Sequence, residues 1–148
     1  MITEKRPKGR FRVVLDTNVY ISIFTNPKGK LGAIWEHGLR GTYTLLISPY
    51  IVAELANVLR EKFNWPDEAI KARAKRFARM AEIITPKIVP NVIANAPADN
   101  HILACAISGK ADLIVSGDRR HLLPLKDYEG IPIIRPVDFF RMLGGFRQ

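Results

Sequence analysis

The sequence predicts an α/β fold: a three-layer α/β/α sandwich around a mostly parallel central sheet. Three observations predict it. Short apolar runs alternate with segments of helical periodicity, the pattern of strands joined by crossover helices. Two of those runs break off at an aspartate, Asp16 and Asp118, where open α/β sheets present ligand-binding groups. A chain of 148 residues with 47% hydrophobic content can bury the core of one domain.

In order, residues 1–10 are basic and lack an apolar stretch. They read as a flexible tail rather than a signal peptide, leaving 11–148 as a single domain. Residues 11–15 form a buried strand that ends at Asp16, and a helix follows to about Thr25. Asn26-Pro27-Lys28-Gly29 is a loop by composition. Leu31, Ile34, Trp35 and Leu39 suit a short helix that ends near Gly41. Residues 43–48, rich in aromatic and β-branched types, read as a second strand. Pro49 stops it and opens a helix to about Phe63, with Ile51, Leu55, Val58 and Leu59 on one face.

Pro66-Asp67-Glu68 begins the next helix, with acids at the positive end of its dipole. Ile70, Ala74, Phe77 and Ala81 share its apolar stripe. Lys71, Lys75, Arg76 and Arg79 fan over another side, either as a solvated face or as phosphate contacts. No aromatic residue is interleaved with these cations, so base stacking there is not suggested. Residues 82–86 make a short third strand, and 87–97 a proline-broken loop. Residues 99–108 are helical, ending at Gly109. Residues 111–116 form a buried strand, 122–125 one helical turn, and 131–135 a final strand that Pro132 places at an edge. A helix over 136–143 closes the chain.

Lys and Arg number 23 against 14 Asp and Glu, a net charge of +9. That balance favours an acidic partner, nucleic acid or an acidic protein, over an inert basic surface. No apolar run approaches the ~20 residues of a membrane helix. Cys105, the only cysteine, excludes an internal disulfide and fits a reducing cytoplasm. Neither a Gly-x-x-x-x-Gly-Lys-Ser/Thr loop nor a Gly-x-Gly-x-x-Gly fingerprint is present. His37, His101 and His121 lack zinc spacing.

The carboxylates carry the chemistry. Asp16 follows one strand directly, and Asp118 follows another through Ser116-Gly117. If those strands are parallel neighbours, both acids share one sheet edge. Asp99 heads a helix, and Glu54 sits early in its own, near the border of the apolar stripe. Right-handed crossovers bring helix starts above the carboxyl ends of strands, so all four acids can converge. Each also has a plainer explanation. Asp99 suits an N-cap, Asp16 and Asp118 suit turns, and Glu54 suits a stripe boundary. Four gathered carboxylates would repel unless a cation joined them. Mg²⁺ or Mn²⁺ would suit oxygen ligands and could activate water for phosphodiester hydrolysis.

From about Arg12 to Leu143 the chain resembles a PIN-domain ribonuclease. The likeness lies in Val14-Leu15-Asp16-Thr17-Asn18, Ser48-x5-Glu54-Leu55, Asp99-Asn100-x-Ile102-Leu103-Ala104-x-Ala106 and Ser116-Gly117-Asp118. It implies a metal-dependent endoribonuclease in which Asp16, Glu54, Asp99 and Asp118 match the acidic metal-binding positions. Asn18 and Ser116 match the polar support positions. In content the chain is most similar to the VapC-like toxin components of toxin–antitoxin modules, which implies a homodimer held inactive by a small antitoxin. One departure stands out. Many such toxins carry a further acid two residues after the Asp118 position, where this chain has Arg120 beside Arg119.

The leading expectation is therefore a Mg²⁺- or Mn²⁺-dependent endoribonuclease. Asp16, Asp99 and Asp118 would hold metal, and Glu54 would bind it or orient the attacking water. Arg119, Arg120, Lys71, Lys75 and Arg79 are candidate RNA-phosphate contacts. Two alternatives compete: a non-catalytic RNA-binding adaptor on the same fold, and a small-molecule metal phosphohydrolase, against which the basic surface argues.

Overall fold

The structure, a computed structural model, describes residues 10–144; nearly all of the expected basic tail lies outside the described residues. Six strands and six helices follow in the order β1 (Arg12–Leu15), α1 (Thr17–Thr25), α2 (Gly32–Arg40), β2 (Thr44–Ile47), α3 (Pro49–Phe63), α4 (Asp67–Met80), β3 (Glu82–Ile83), α5 (Pro97–Ser108), β4 (Leu113–Val115), β5 (Asp127–Tyr128), β6 (Ile131–Ile134) and α6 (Pro136–Gly144). A 3₁₀ turn, Leu123–Leu125, stands between β4 and β5.

The sheet order is β3-β2-β1-β4-β6-β5. Every neighbouring pair is parallel except β5 and β6. Val13, Val14 and Leu15 of β1, Leu45, Leu46 and Ile47 of β2, and Ile114 and Val115 of β4 are fully buried. Successive strand residues point to opposite faces, so both faces of the sheet are covered and the fold is a three-layer α/β/α sandwich. From β1 the chain winds outward through β2 and β3. It then returns to the other side of β1 and winds outward through β4 and β6. The boundary between β1 and β4 is the topological switch point, where such sheets open a crevice at their carboxyl ends.

Local chemistry explains the main helix ends. The Ser48 side chain accepts a hydrogen bond from the Ile51 amide at 3.2 Å, with Pro49 in the first turn, so α3 starts where the strand must stop. α2 ends at Gly41, whose φ of 79° is the left-handed conformation glycine adopts without strain. Arg12 fastens the opposite edge of the sheet. Its guanidinium donates to the Gly109 carbonyl at 2.9 and 2.8 Å and to the Glu82 carboxylate at 2.9 and 3.0 Å.

Two expectations are corrected. β6 is an inner strand, paired with β4 on one side and β5 on the other. Pro132 is tolerated because it faces Asp127 in β5, while pairing with β4 starts only at Ile133. β5 itself is a two-residue strand added through a Glu129-Gly130 hairpin turn, both residues at positive φ. On α4 the buried stripe is Ile70 and Phe77, while Ala74 is exposed. Arg73 lies on the buried side instead, its guanidinium 4.3 Å from the centre of the Phe24 ring, beside Trp35 and Trp65. Other segments thus supply aromatic partners to one of its cations, as packing between helices.

Candidate metal centre

Asp16 is the first residue past β1. Its amide still bonds the Val115 carbonyl of β4 at 2.9 Å, so the residue is carried by the β1–β4 junction itself. It occupies the N-cap position of α1, but its side chain makes no capping bond. The buried carboxylate turns across the junction instead, and its Oδ2 accepts a 2.7 Å hydrogen bond from Ser116 Oγ. Ser116, wholly buried, serves two acids. Its Oγ also accepts the Asp118 amide at 2.9 Å.

Asp118 is fixed by the loop it begins. Oδ1 accepts the amides of Arg120 at 3.0 Å and His121 at 3.2 Å. Oδ2 lies 3.7 Å from His121 Nδ1. Asp99 comes from α5. The helix is capped at Ala96 and begins with Pro97, so Asp99 lies in the first turn rather than at the cap. Its Oδ2 pairs with His121 Nδ1 at 3.0 Å. One ligand atom each from Asp99, Asp118 and His121 can lie within 4.8 Å of the others. Asn100, buried next door, clamps the loop that leads into α5. Its side-chain oxygen accepts the Val92 and Ile93 amides, and its nitrogen donates to the Ile93 carbonyl.

Glu54 stands on α3 outside that three-residue group. It is tied to the site through Thr17, whose hydroxyl donates to Glu54 Oε1 at 2.7 Å. Thr17 is the residue directly after Asp16, so β1 positions both the aspartate and the glutamate's anchor. Asn18 is exposed on the first turn of α1. Arg119 and Arg120 are exposed directly beyond Asp118, and Lys71, Lys75 and Arg79 are exposed on α4. α4 meets α1 at Phe24, eight residues and about 12 Å of helix beyond Asp16.

The electrostatics suit a cation. Burial pushes Asp16 up to about 6 from its ordinary 3.8, and the charges of Asp99 and Asp118 add to the rise. Hydrogen bonds from Ser116 and the Thr17 amide act in the opposite direction. Asp99 is raised by burial first and by Asp118 second, with His121 opposing both. Buried carboxylates raised in this way, beside further acids, make the group a candidate functional site. An oxygen-rich donor set with one imidazole suits a hard divalent ion such as Mg²⁺ or Mn²⁺. A cavity of about 620 Å³ opens elsewhere, between Ile88, Ile107 and Tyr128, and none of the four acids lines it.

Two residues of this arrangement, His121 and Thr17, escape the sequence reading. The histidines are weighed there only against zinc spacing, and the Asp118-x-x-His121 interval is the signal that would have drawn His121 in. Thr17 gives no sign beyond its place beside Asp16.

Carboxylates gathered at the switch point of a parallel α/β sheet define a class of α/β proteins with an acidic site at the carboxyl edge. Within that class the chain belongs to the PIN domain family, which it matches over residues 12–120. PIN domains are generally metal-dependent nucleases. Over 129 residues the chain is 32% identical to the uncharacterized protein MJ1680 of Methanocaldococcus jannaschii, covering 84% of this chain and 81% of that protein. Its fold is similar to that of PAE2754 from Pyrobaculum aerophilum, known from a crystal structure. The TM-score is 0.56 at 15% identity, over 93% of this chain and 94% of the other.

Proposed function

We propose that this protein is a metal-dependent endoribonuclease, with Asp16, Asp99 and Asp118 as metal ligands and Glu54 beside them. The observation that carries the proposal is the joining of Asp16 to the Asp118 loop through one buried hydroxyl, Ser116, at the β1–β4 switch point. Bound there, Mg²⁺ or Mn²⁺ would supply a water of lowered pKa and offset charge developing on the phosphodiester.

The chain's own residues do the rest. Asp118 Oδ1 is occupied by backbone amides, which leaves Oδ2 for the metal. His121 holds Asp99 in place through its Nδ1. Glu54 keeps one oxygen on Thr17 and has the other to orient the attacking water and accept its proton. Arg119 and Arg120 stand where the phosphate backbone of RNA would leave the cleft, with Lys71, Lys75 and Arg79 as more distant contacts. A net charge of +9 favours that substrate through counterion release.

Within this reading the protein acts in the cytoplasm as the toxin of a toxin–antitoxin pair, as a homodimer. Its basic charge would suit a small acidic antitoxin. Co-expression with the product of a short acidic neighbouring reading frame tests that role: protection of growth supports it, and unchanged growth contradicts it.

The activity is tested with purified protein and single-stranded RNA in Mg²⁺ or Mn²⁺. Cleavage is expected to stop in EDTA and in Asp16→Asn. Cleavage that survives both, or RNA binding with no cleavage in either metal, overturns the proposal. The second outcome would match the adaptor alternative.

A further inference from the structure

α3 follows β2 directly, and Asp99 places the first turn of α5 at the acidic cleft. Both helices therefore open at the carboxyl edge of the sheet. Between those first turns Tyr50 and His101 lie ring on ring, with centroids 3.5 Å apart and an interplanar angle of 4°. Tyr50 is 38% exposed although His101 covers one of its faces. The stack is therefore open to solvent rather than part of the core. Among the described residues neither side chain makes a hydrogen bond or ion pair, so no polar network accounts for the pairing. Tyr50 stands four residues before Glu54, on the same face of α3, with Cβ atoms about 6 Å apart.

We propose that the Tyr50–His101 stack is a base-stacking platform at the rim of the acidic cleft. It takes one unpaired nucleobase of single-stranded RNA beside the scissile phosphate. The proposal rests on the ribonuclease reading and adds the side chains that seat a base of its substrate. Tyr50 keeps 38% of its surface exposed while stacked on His101, which leaves it surface for a further ring in continuation of the stack. A nucleobase offers such a ring only when it is unpaired. Every base has a π-face, so the platform selects single strands over duplexes without selecting sequence. Its place one helical turn from Glu54 would seat the base while its own phosphate enters the cleft.

The test measures binding of a labelled single-stranded RNA and of the same RNA as a duplex, in an Asp16→Asn background that arrests cleavage. It also measures kcat and KM with Asp16 intact. Tyr50→Leu keeps the bulk but removes the π-face, and Tyr50→Trp keeps the π-face. Tyr50→Leu is expected to weaken single-strand binding and raise KM by about tenfold, the loss of one stacked base. In that variant kcat and duplex binding stay near the wild-type values, and Tyr50→Trp restores single-strand affinity. A folded Tyr50→Leu protein with unchanged affinity and KM overturns the platform while leaving the nuclease standing. A wild-type protein that binds RNA without cleaving it overturns the nuclease reading, and the affinities still decide the platform. Absence of RNA binding overturns both.

Discussion

Ser116 Oγ donates a 2.7 Å hydrogen bond to Asp16 Oδ2 across a sequence separation of 100 residues. The same oxygen receives the Asp118 amide, so one hydroxyl sets the positions of two acids. Ser116→Ala leaves a buried carboxylate without its donor, and its pKa rises further. Outer-shell partners of this kind typically change metal affinity about 10- to 100-fold. Mn²⁺ titration of Ser116→Ala should show weakening in that range with the fold intact. Unchanged affinity would remove Ser116 from the account.

The raised Asp16 pKa has a consequence for stability, with a definite sign. The folded value is about 6 against an ordinary 3.8. Folding therefore favours the protonated form, and that contribution is full below the ordinary value and is lost as pH rises through 6. A shift of two units corresponds to about 3 kcal/mol. Urea unfolding in EDTA should show Asp16→Asn more stable than wild type near pH 7, with the gap closing toward pH 4. A gap independent of pH would contradict the burial penalty on Asp16.

The fold was legible where its signals are local. An apolar run that ends in a carboxylate marks β1 with Asp16, and again β4 with Asp118. Glu54 could be singled out because helical periodicity puts it at the border of the α3 stripe. Long-range partners were not legible. The sequence left Asp99 open as an N-cap, and only the fold shows Ala96 in that position and His121 against the Asp99 carboxylate. Pro132 suggested an edge because the hairpin beyond it depends on Glu129 at a φ of 49°, a conformation the residue type does not announce. Arg73 carries no sequence signal of its buried place, because Phe24 beneath it comes from α1.

Thr17 is the sole hydrogen-bond link drawn between β1's end and Glu54 among the described residues. Thr17→Val keeps the shape and removes the hydroxyl. Glu54 then loses its orientation while Asp16, Asp99 and Asp118 stay in place. kcat on RNA is expected to fall roughly tenfold with Mn²⁺ affinity nearly unchanged. An equal loss in both would place Thr17 in the ligand set instead.

Arg12 tests the frame rather than the site. Arg12→Ala deprives the Gly109 carbonyl of charged donors and breaks the link to Glu82. Glu82 is largely exposed, so the ion pair contributes little. The loss should be dominated by the carbonyl, about 1–3 kcal/mol. Denaturant midpoints measure it, and the folded fraction should retain its RNA cleavage. Loss of activity without loss of stability would contradict a purely structural role.

The most direct measurement is calorimetric titration of Mn²⁺ into the wild-type protein, Asp99→Asn and Asp118→Asn, each checked for native circular dichroism. If α5 and the β4 loop deliver their carboxylates to a common ion, the wild type binds Mn²⁺ and each substitution weakens binding tenfold or more. Equal affinity in all three folded proteins would contradict a shared metal centre.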